Sequence, residues 1–173
     1  MRAEYENVLD DHLGKIHFTY VNTWDELLPA HWHEHLEIIY VLGGEITASI
    51  NDVSYELEKG DIFLVNSNDI HYTYTHEDAR YYLLQIPPVH LERISAKWKG
   101  LKFQELIRSK SADACVQGEQ LENVQGKGLV EMRENRKSTN RADDLYDQLR
   151  DVFRKIAGFY EEKKEGYHLL VLS

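Results

Sequence analysis

The sequence is poor in cysteine and in long apolar runs. Its single cysteine, Cys115, has no partner in the chain, so a disulfide scaffold is excluded and an inert thiol is expected. No apolar run approaches the roughly 20 residues that a membrane-spanning helix needs. The residues after Met1 also lack the apolar stretch of a secretory signal. We therefore expect a cytoplasmic protein that does not enter a membrane.

Positive charge is also scarce. The chain of 173 residues carries 20 Lys and Arg against 30 Asp and Glu, which gives a formal net charge of −10. Nucleic-acid binding relies on clustered Lys and Arg side chains that displace counterions from phosphates. This excess of negative charge is unfavourable for direct DNA binding, so any DNA contact is expected to come from another domain.

What the sequence does contain is enough apolar material for one core. Hydrophobic residues make up 42% of the chain, and eleven residues are tyrosines. At this length we expect one domain with an appendage rather than two independent cores. The aromatic content favours β-structure and a pocket lined by amphipathic rings.

Alternation of apolar and polar residues predicts a series of short strands. After a loose polar arm, Lys15 to Val21 is the first predicted strand. Leu36 to Leu42 and Ile46 to Ile50 flank a pair of glycines, which predicts a hairpin. A tight two-residue turn is expected at Asn51-Asp52, because both residue types tolerate a positive φ.

Three further strands are predicted at Ile62 to Val65, Ile70 to Thr75 and Tyr81 to Ile86. Many short antiparallel strands at this spacing are typical of a β-sandwich or a barrel. Ile38 to Leu42 and Ile62 to Val65 are apolar on both faces, so the barrel must be covered outside as well as filled inside. Helices from later in the chain are the expected cover.

The rest of the chain is expected to be partly helical. Val89 to Trp98 predicts a short helix, and Leu101 to Ile107 is a candidate for a return to the sheet. Residues 109 to 140 show little periodicity and predict a long polar connection. We divide the chain into a barrel with an N-terminal arm at residues 1–108 and a connection with a helical dimerisation region at residues 109–173.

The clearest helix is Ala142 to Lys164. Apolar residues at helical spacing predict its packing face, namely Leu145, Leu149, Val152, Phe153, Ile156 and Tyr160. Tyr167 to Leu172 is apolar again and predicts a second helix that ends abruptly. We expect part of the first helix to cover the barrel, and the remainder to form a dimer interface with the second.

The residues with the most chemistry occupy odd positions of one segment. On an extended strand, His31, His33, His35 and Glu37 would share one face. His71 lies on a separate strand that a barrel can bring opposite this group. Imidazoles and a carboxylate suit Zn, Mn, Ni or Fe, so His31, His33, Glu37 and His71 are the candidate metal ligands.

Gln85 is a polar residue in an otherwise apolar strand and is a candidate to face the same cavity. Exposure at a sheet edge explains it equally well. Trp32 and Tyr40 are out of phase with the histidines and are expected to pack on the outside. The candidate ligand-binding residues are therefore His31, His33, Glu37, His71 and Gln85.

The spacing of these residues resembles the two motifs of the cupin superfamily. The first motif is matched by His31, His33, Glu37 and Gly44, and the second by Gly60 and His71. Asn66 and Asn68 stand where the second motif usually has a proline and a glycine. This departure favours a sensor over a metal-dependent enzyme.

The sequence from His31 to Leu42 and from Lys59 to His71 resembles the sensor domain of AraC-type transcription regulators. The resemblance implies a mainly β fold: a cupin barrel, of the double-stranded β-helix or jelly-roll type, with a C-terminal α-helical appendage. It also implies a small-molecule effector, often a sugar, in the barrel mouth and helices that mediate homodimerisation. A DNA-binding pair of helix-turn-helix units is implied as well, and we expect it to lie outside this chain.

Three functions stay open on the sequence alone. The favoured one is the non-enzymatic effector-sensing and dimerisation domain of an AraC-family regulator. The second is a stand-alone cupin enzyme of the dioxygenase or isomerase type, with a metal held by histidines and a glutamate. The third is a metal-free carbohydrate-binding module. The resemblance also favours a hydrogen-bonded His/Glu cluster without metal.

Overall fold

The computed structural model describes residues 3–8, 15–76, 78–108 and 131–162. Within these ranges the chain forms ten strands in two five-stranded sheets and two α-helices. The predicted mainly β class with a helical appendage is confirmed. Cys115 and the predicted second helix, Tyr167 to Leu172, lie outside the described residues.

The first sheet, called sheet I, has the strand order β1-β3-β8-β5-β6. Its strands are β1 (Glu4–Tyr5), β3 (Glu26–Trp32), β5 (Ile46–Ile50), β6 (Val53–Leu57) and β8 (His71–Thr75). The β5–β6 connection is the tight hairpin expected at Asn51-Asp52, where φ is +47° and +69°. Asn and Asp tolerate this left-handed backbone better than most other residues.

The second sheet, sheet II, has the order β10-β7-β4-β9-β2. Its strands are β2 (His17–Thr23), β4 (Leu36–Gly43), β7 (Ile62–Val65), β9 (Ala79–Ile86) and β10 (Leu106–Ile107). The expected return of Leu101 to Ile107 to the sheet is limited to the last two of these residues. All pairings within sheet II are antiparallel.

The hairpin predicted around the glycine pair is wrong. β4 is hydrogen-bonded to β7 and β9 in sheet II, whereas β5 is hydrogen-bonded to β6 and β8 in sheet I. The chain therefore passes from one sheet to the other at Gly43 and Gly44. Gly44 has a φ of +75°, and a Cβ there would lie 2.6 Å from the carbonyl oxygen of Asp78. The two glycines allow the chain to cross from one sheet to the other rather than to form a turn between neighbouring strands.

Two apolar cores lie on opposite sides of sheet II. The inner core, between the sheets, contains Ile39, Val41, Ile46, Ala48, Ile50, Leu57, Phe63, Val65 and Ala79. The outer core joins the other face of sheet II to the helices and contains Phe18, Ile38, Leu64, Leu84, Trp98 and Phe153 among others. The runs that are apolar on both faces thus belong to strands covered on both sides, as expected from the sequence.

Helices α1 (Pro88–Ile94) and α2 (Glu131–Glu161) supply this cover, and a 3₁₀ turn follows α1 at Trp98–Gly100. Helix α2 begins at Glu131 rather than Ala142, so the predicted polar connection ends earlier than expected. Two hydroxyls fasten α2 to the barrel: Tyr146 donates to the carbonyl of Gly60 (2.9 Å), and Tyr82 donates to Glu161 (3.0 Å). Tertiary contacts of this kind supply most of the stability of a helix in a protein.

The packing face of α2 differs from the predicted one in part. Its buried residues are Tyr146, Phe153, Ile156 and Ala157, with Leu149 and Tyr160 partly buried against the same core. Leu145 and Val152 are 48% and 45% exposed. The predicted face was wider than the strip of helix that sheet II covers.

We predict that Gly44→Ala destabilises the fold, because it places a Cβ against the backbone of Asp78 and Ala79 at a positive φ. The expected cost is about 2 kcal/mol, or a decrease in Tm of roughly 4–8 °C. Thermal unfolding followed by circular dichroism measures it. The matched control is Gly158→Ala on the exposed side of α2, where a Cβ meets nothing within 4 Å. That change is expected to leave Tm unchanged or raise it.

Candidate functional site

Strand register brings the candidate residues together as two cross-strand pairs. In sheet I, His31 on β3 is directly opposite His71 on β8. In sheet II, Glu37 on β4 is directly opposite Gln85 on β9. His33 lies between the two strands β3 and β4, where the chain leaves one sheet for the other. All five side chains are buried, and together they form what we call the His/Glu cluster.

The third imidazole of the cluster is His71, not His35. The strand prediction placed His31, His33, His35 and Glu37 on one face, but β3 ends at Trp32 and β4 begins at Leu36. The alternation of side chains is therefore broken between them. His35 is buried beside His33, with 5.9 Å between ring centroids, whereas the His31 and His71 rings are 4.0 Å apart.

Glu37 is the centre of the hydrogen bonding. Its Oε2 accepts hydrogen bonds from Nε2 of His33 (3.1 Å) and Nε2 of Gln85 (2.9 Å), and its Oε1 lies 3.9 Å from Nε2 of His71. Burial acts to raise the pKa of Glu37. The hydrogen bond from His33, the charges of His71 and His33, and the hydrogen bond from Gln85 outweigh burial and lower this pKa to about 2. The cluster therefore contains a fixed negative charge at neutral pH.

Backbone carbonyls orient two of the imidazoles. Nδ1 of His31 lies 2.7 Å from the carbonyl oxygen of Pro29, and Nδ1 of His71 lies 3.0 Å from that of Asp69. A carbonyl oxygen only accepts hydrogen bonds, so Nδ1 carries the proton in both rings. In the neutral form of each ring, Nε2 therefore has a free lone pair. Nε2 of His71 is buried and has no hydrogen-bond partner among the described residues. Two acceptor nitrogens are thus turned toward the cluster.

His33 and His71 are shifted in opposite directions. For His71, burial is the largest effect and lowers its pKa to about 4, although Glu37 opposes this. For His33, burial acts to lower the pKa, but the hydrogen bond to Glu37 and the charges of Glu37 and Glu6 together raise it above 6.5. The cluster therefore combines a neutral imidazole with one that favours the charged form.

Glu6 is a member of this site that the sequence analysis missed. The N-terminal arm, expected to be loose, forms β1, which pairs in parallel with β3 and places Glu4 opposite His31. Oε2 of Glu6 lies 3.6 Å from Nε2 of His31 and 3.9 Å from Nε2 of His33. This oxygen is buried, with no hydrogen-bond partner among the described residues. Parallel pairing between distant segments leaves no local pattern in the sequence, so no signal pointed to Glu6.

A cavity adjoins the cluster at this end of the barrel. Its volume is about 410 Å³, and it is lined by Glu4, Tyr5, Glu6, Leu28, Pro29, Ala30 and His31. Trp32, which does not line the cavity, contacts Tyr5 edge-on with 4.8 Å between ring centroids. His31 and Glu6 belong to both the cavity and the cluster, so a molecule in the cavity has buried polar groups within reach.

The donor set fits a divalent metal ion. One ligand atom from each of His31, His33 and His71 lies within 4.8 Å of the others, and the ionised carboxylate of Glu37 is beside them. The carbonyl contacts of His31 and His71 are the kind that orient metal-binding imidazoles. His33 would have to give up the Nε2 proton that it shares with Glu37. Imidazole and carboxylate together suit Zn, Mn, Ni or Fe.

A protein-family model described as the AraC-like ligand binding domain matches residues 14–171. The chain belongs to this family. Among curated proteins no sequence matches significantly. Among the described residues, no helix is both long enough and apolar enough to cross a bilayer.

The solved structures that are similar to this AraC-like ligand-binding domain each align with less than half of it. An RmlC-like cupin from Shewanella frigidimarina is 20% identical over 43% of this chain and 68% of its own, with a TM-score of 0.41. KdgF from a Halomonas species is 22% identical over 43% and 70%, with a TM-score of 0.40. A predicted oxalate decarboxylase from Thermotoga maritima is 21% identical over 44% and 70%, with a TM-score of 0.40.

In this AraC-like domain we predict that Glu37→Gln lowers the pKa of His33, because the buried imidazole loses the carboxylate that stabilises its charged form. The measurement is an NMR titration of the imidazole signals in protein kept free of metal by a chelator. Glu34→Gln, at an exposed carboxylate outside the cluster, is the matched control and is expected to leave this pKa unchanged. An unchanged His33 pKa in Glu37→Gln would contradict the assignment.

Proposed function

We propose that this AraC-like ligand-binding domain senses a small polar molecule, a sugar or sugar derivative, in the barrel mouth. In the proposal, His31, His33, Glu37, His71 and Gln85 bind the effector together with Glu6. The domain acts as a homodimer in the cytoplasm and reaches DNA through a helix-turn-helix domain that is separate from these residues. Its own net charge of −10 supports leaving DNA to another domain.

The observation that carries the proposal is a pair of buried acceptors without donors. Nε2 of His71 and Oε2 of Glu6 are both buried and find no hydrogen-bond partner among the described residues. Buried polar atoms of this kind are unfavourable unless something satisfies them. Hydroxyl groups of a sugar are suitable donors, and the charges of Glu37 and Glu6 disfavour an anionic ligand. The adjoining cavity of about 410 Å³ falls in the size range of small-molecule sites.

The test is a calorimetric screen of neutral sugars against wild-type protein and variants. His71→Ala and Glu37→Ala are each expected to weaken the binding of the sugar that the screen identifies by roughly tenfold or more, since each removes a buried polar contact. His17→Ala, at an exposed histidine on the edge strand β2, is the control and should bind as the wild type does. Unchanged affinity in both cluster variants would place the site elsewhere.

The alternative is a stand-alone metal-dependent cupin enzyme, and the fit of the three histidines to a metal is what favours it. On our proposal a divalent metal is held weakly at most, because His33 and Glu37 already satisfy each other through a hydrogen bond. Metal analysis after dialysis against a chelator separates the two. Stoichiometric iron or manganese that survives chelation, together with turnover, would favour the enzyme.

Dimerisation is proposed to use the exposed side of α2. Leu145 and Val152 are two turns apart and about half exposed, so they form an apolar strip parallel to the buried face. The homodimer that we propose would cover this strip with a second copy, because a closed two-fold contact pairs identical surfaces.

We predict that Leu145→Glu and Val152→Glu each shift the protein toward monomer, because a carboxylate would be buried without a partner. Sedimentation velocity across a dilution series measures the association. Gly158→Glu adds the same charge at an exposed position of α2 that lies away from the strip, and it is the matched control. A wild-type monomer at high concentration, or a dimer indifferent to both substitutions, would show that α2 serves only its own barrel.

A further inference from the structure

A second cleft lies on the helical side of sheet II and has its own set of lining residues. It has a volume of about 260 Å³ and opens between the β3–β4 loop, the β7–β8 loop and the segment that follows α1. Leu36, Pro88, Leu101 and Phe103 form its apolar wall. None of its lining residues belongs to the cluster or to the cavity at the barrel mouth. The proposed effector site therefore does not account for it.

Trp98 gives this cleft an unsatisfied donor. The side chain lines the cleft and is only 7% exposed, and its Nε1–H is buried without an acceptor among the described residues. An indole N–H donates only, so no rearrangement of its own proton can satisfy it. Buried tryptophans usually have a partner for this group. An acceptor brought by a ligand would supply what is lacking, provided that the indole turns to open its buried Nε1–H to the cleft.

The other polar groups of the cleft are already engaged. The side chain of Asn66 exchanges two hydrogen bonds with the backbone of Phe103, at 3.2 and 2.7 Å. The hydroxyl of Ser67 donates to the carbonyl of Glu34 (2.7 Å), and the amide of Asn68 donates to that hydroxyl (3.1 Å). Trp98 is thus the polar group that most needs a ligand, and one acceptor is enough for it.

Charge favours a neutral ligand. The one ammonium group on the lining, Lys102, lies 2.7 Å from the carboxylate of Asp69, which compensates it. Glu34 adds a carboxylate to the lining, so an anion would meet repulsion. A cationic group cannot accept the hydrogen bond that the indole N–H donates. The apolar wall then selects for a ring rather than for a polyol.

We propose that this cleft binds a small neutral aromatic molecule whose carbonyl oxygen accepts the hydrogen bond of Trp98. The ring packs against Leu36 and Phe103, and the carbonyl points to Nε1 of the indole. The volume is slightly below the roughly 300–1,000 Å³ of pockets that hold drug-sized ligands, so the occupant is a single substituted ring. The site is independent of the effector site proposed for the barrel.

The probe is benzamide, a single ring with a carbonyl acceptor, titrated into the ¹⁵N-labelled chain. The three tryptophans give three indole signals, and Trp98→Phe identifies the one in question. We expect a saturable downfield shift of the Trp98 Nε1–H signal, because hydrogen bonding deshields the proton. Benzylamine has the same ring, a positive charge and no acceptor, and it should not produce this shift.

Two variants test the geometry. Leu101→Phe fills the cleft and is expected to weaken benzamide binding by about tenfold. The Ile94→Phe variant, changed on the exposed side of α1, should bind benzamide as the wild type does. Trp98→Phe keeps a ring but removes the donor, and it should also weaken benzamide, as followed by the backbone amide signals of Leu36 and Phe103. Dispersed spectra of each variant show that it is folded.

The proposal is overturned by any of three results. One is the absence of a saturable shift at Trp98, and another is an equal response to benzylamine. The third is benzamide binding that neither Leu101→Phe nor Trp98→Phe weakens. The two substitutions act on different walls of the cleft, so failure of one variant to fold leaves the other as the test.

Discussion

The buried carboxylate of Glu37 is the group on which the open end of the barrel depends. Burying a charge is costly unless it is paired and hydrogen-bonded, and here His33 and Gln85 both donate to the same oxygen. Glu37 and Gln85 are part of sheet II, His71 is part of sheet I, and His33 lies between the sheets. One ionised side chain therefore links both sheets at the level of the cluster. Its charge and hydrogen bond raise the pKa of His33, whereas burial lowers the pKa of His71 despite the same carboxylate, so the two imidazoles differ in basicity side by side.

Much of the fold was predictable because side-chain alternation and turn chemistry are local properties. β5, β7, β8 and β9 lie close to where periodicity placed them, and the positive φ at Asn51 and Asp52 agrees with the residue types. The pairing of β4 was not predictable in the same way. A glycine pair between two apolar runs is as compatible with a crossing between sheets as with a hairpin, and only the global topology decides. The early start of α2 at Glu131 was missed for a similar reason, because its first turns have no apolar period.

The site was predictable to the extent that strand register reflects sequence parity. His31, His33, Glu37, His71 and Gln85 come together in the structure, although their role in binding an effector stays a prediction. Two details were beyond the sequence. His33 and His35 both lie between β3 and β4, where strand parity no longer applies, yet only His33 belongs to the cluster, and Glu6 reaches the cluster through parallel pairing with a segment far along the chain. Both depend on where a strand ends or which strand it meets, and neither is encoded in a residue's immediate neighbours.

The β7–β8 loop connects the cluster to the helical side of the barrel. The backbone N–H of Asn68 donates to the carbonyl of His33 (2.9 Å), and the carbonyl of Asp69 orients His71. On its other side, the side chains of Asn66 and Asp69 hold the backbone of Phe103 and the ammonium of Lys102. That segment follows the 3₁₀ turn whose Trp98 packs in the same apolar core as Phe153 of α2. A continuous set of packed and hydrogen-bonded groups therefore runs from the imidazoles to the helix proposed for dimerisation.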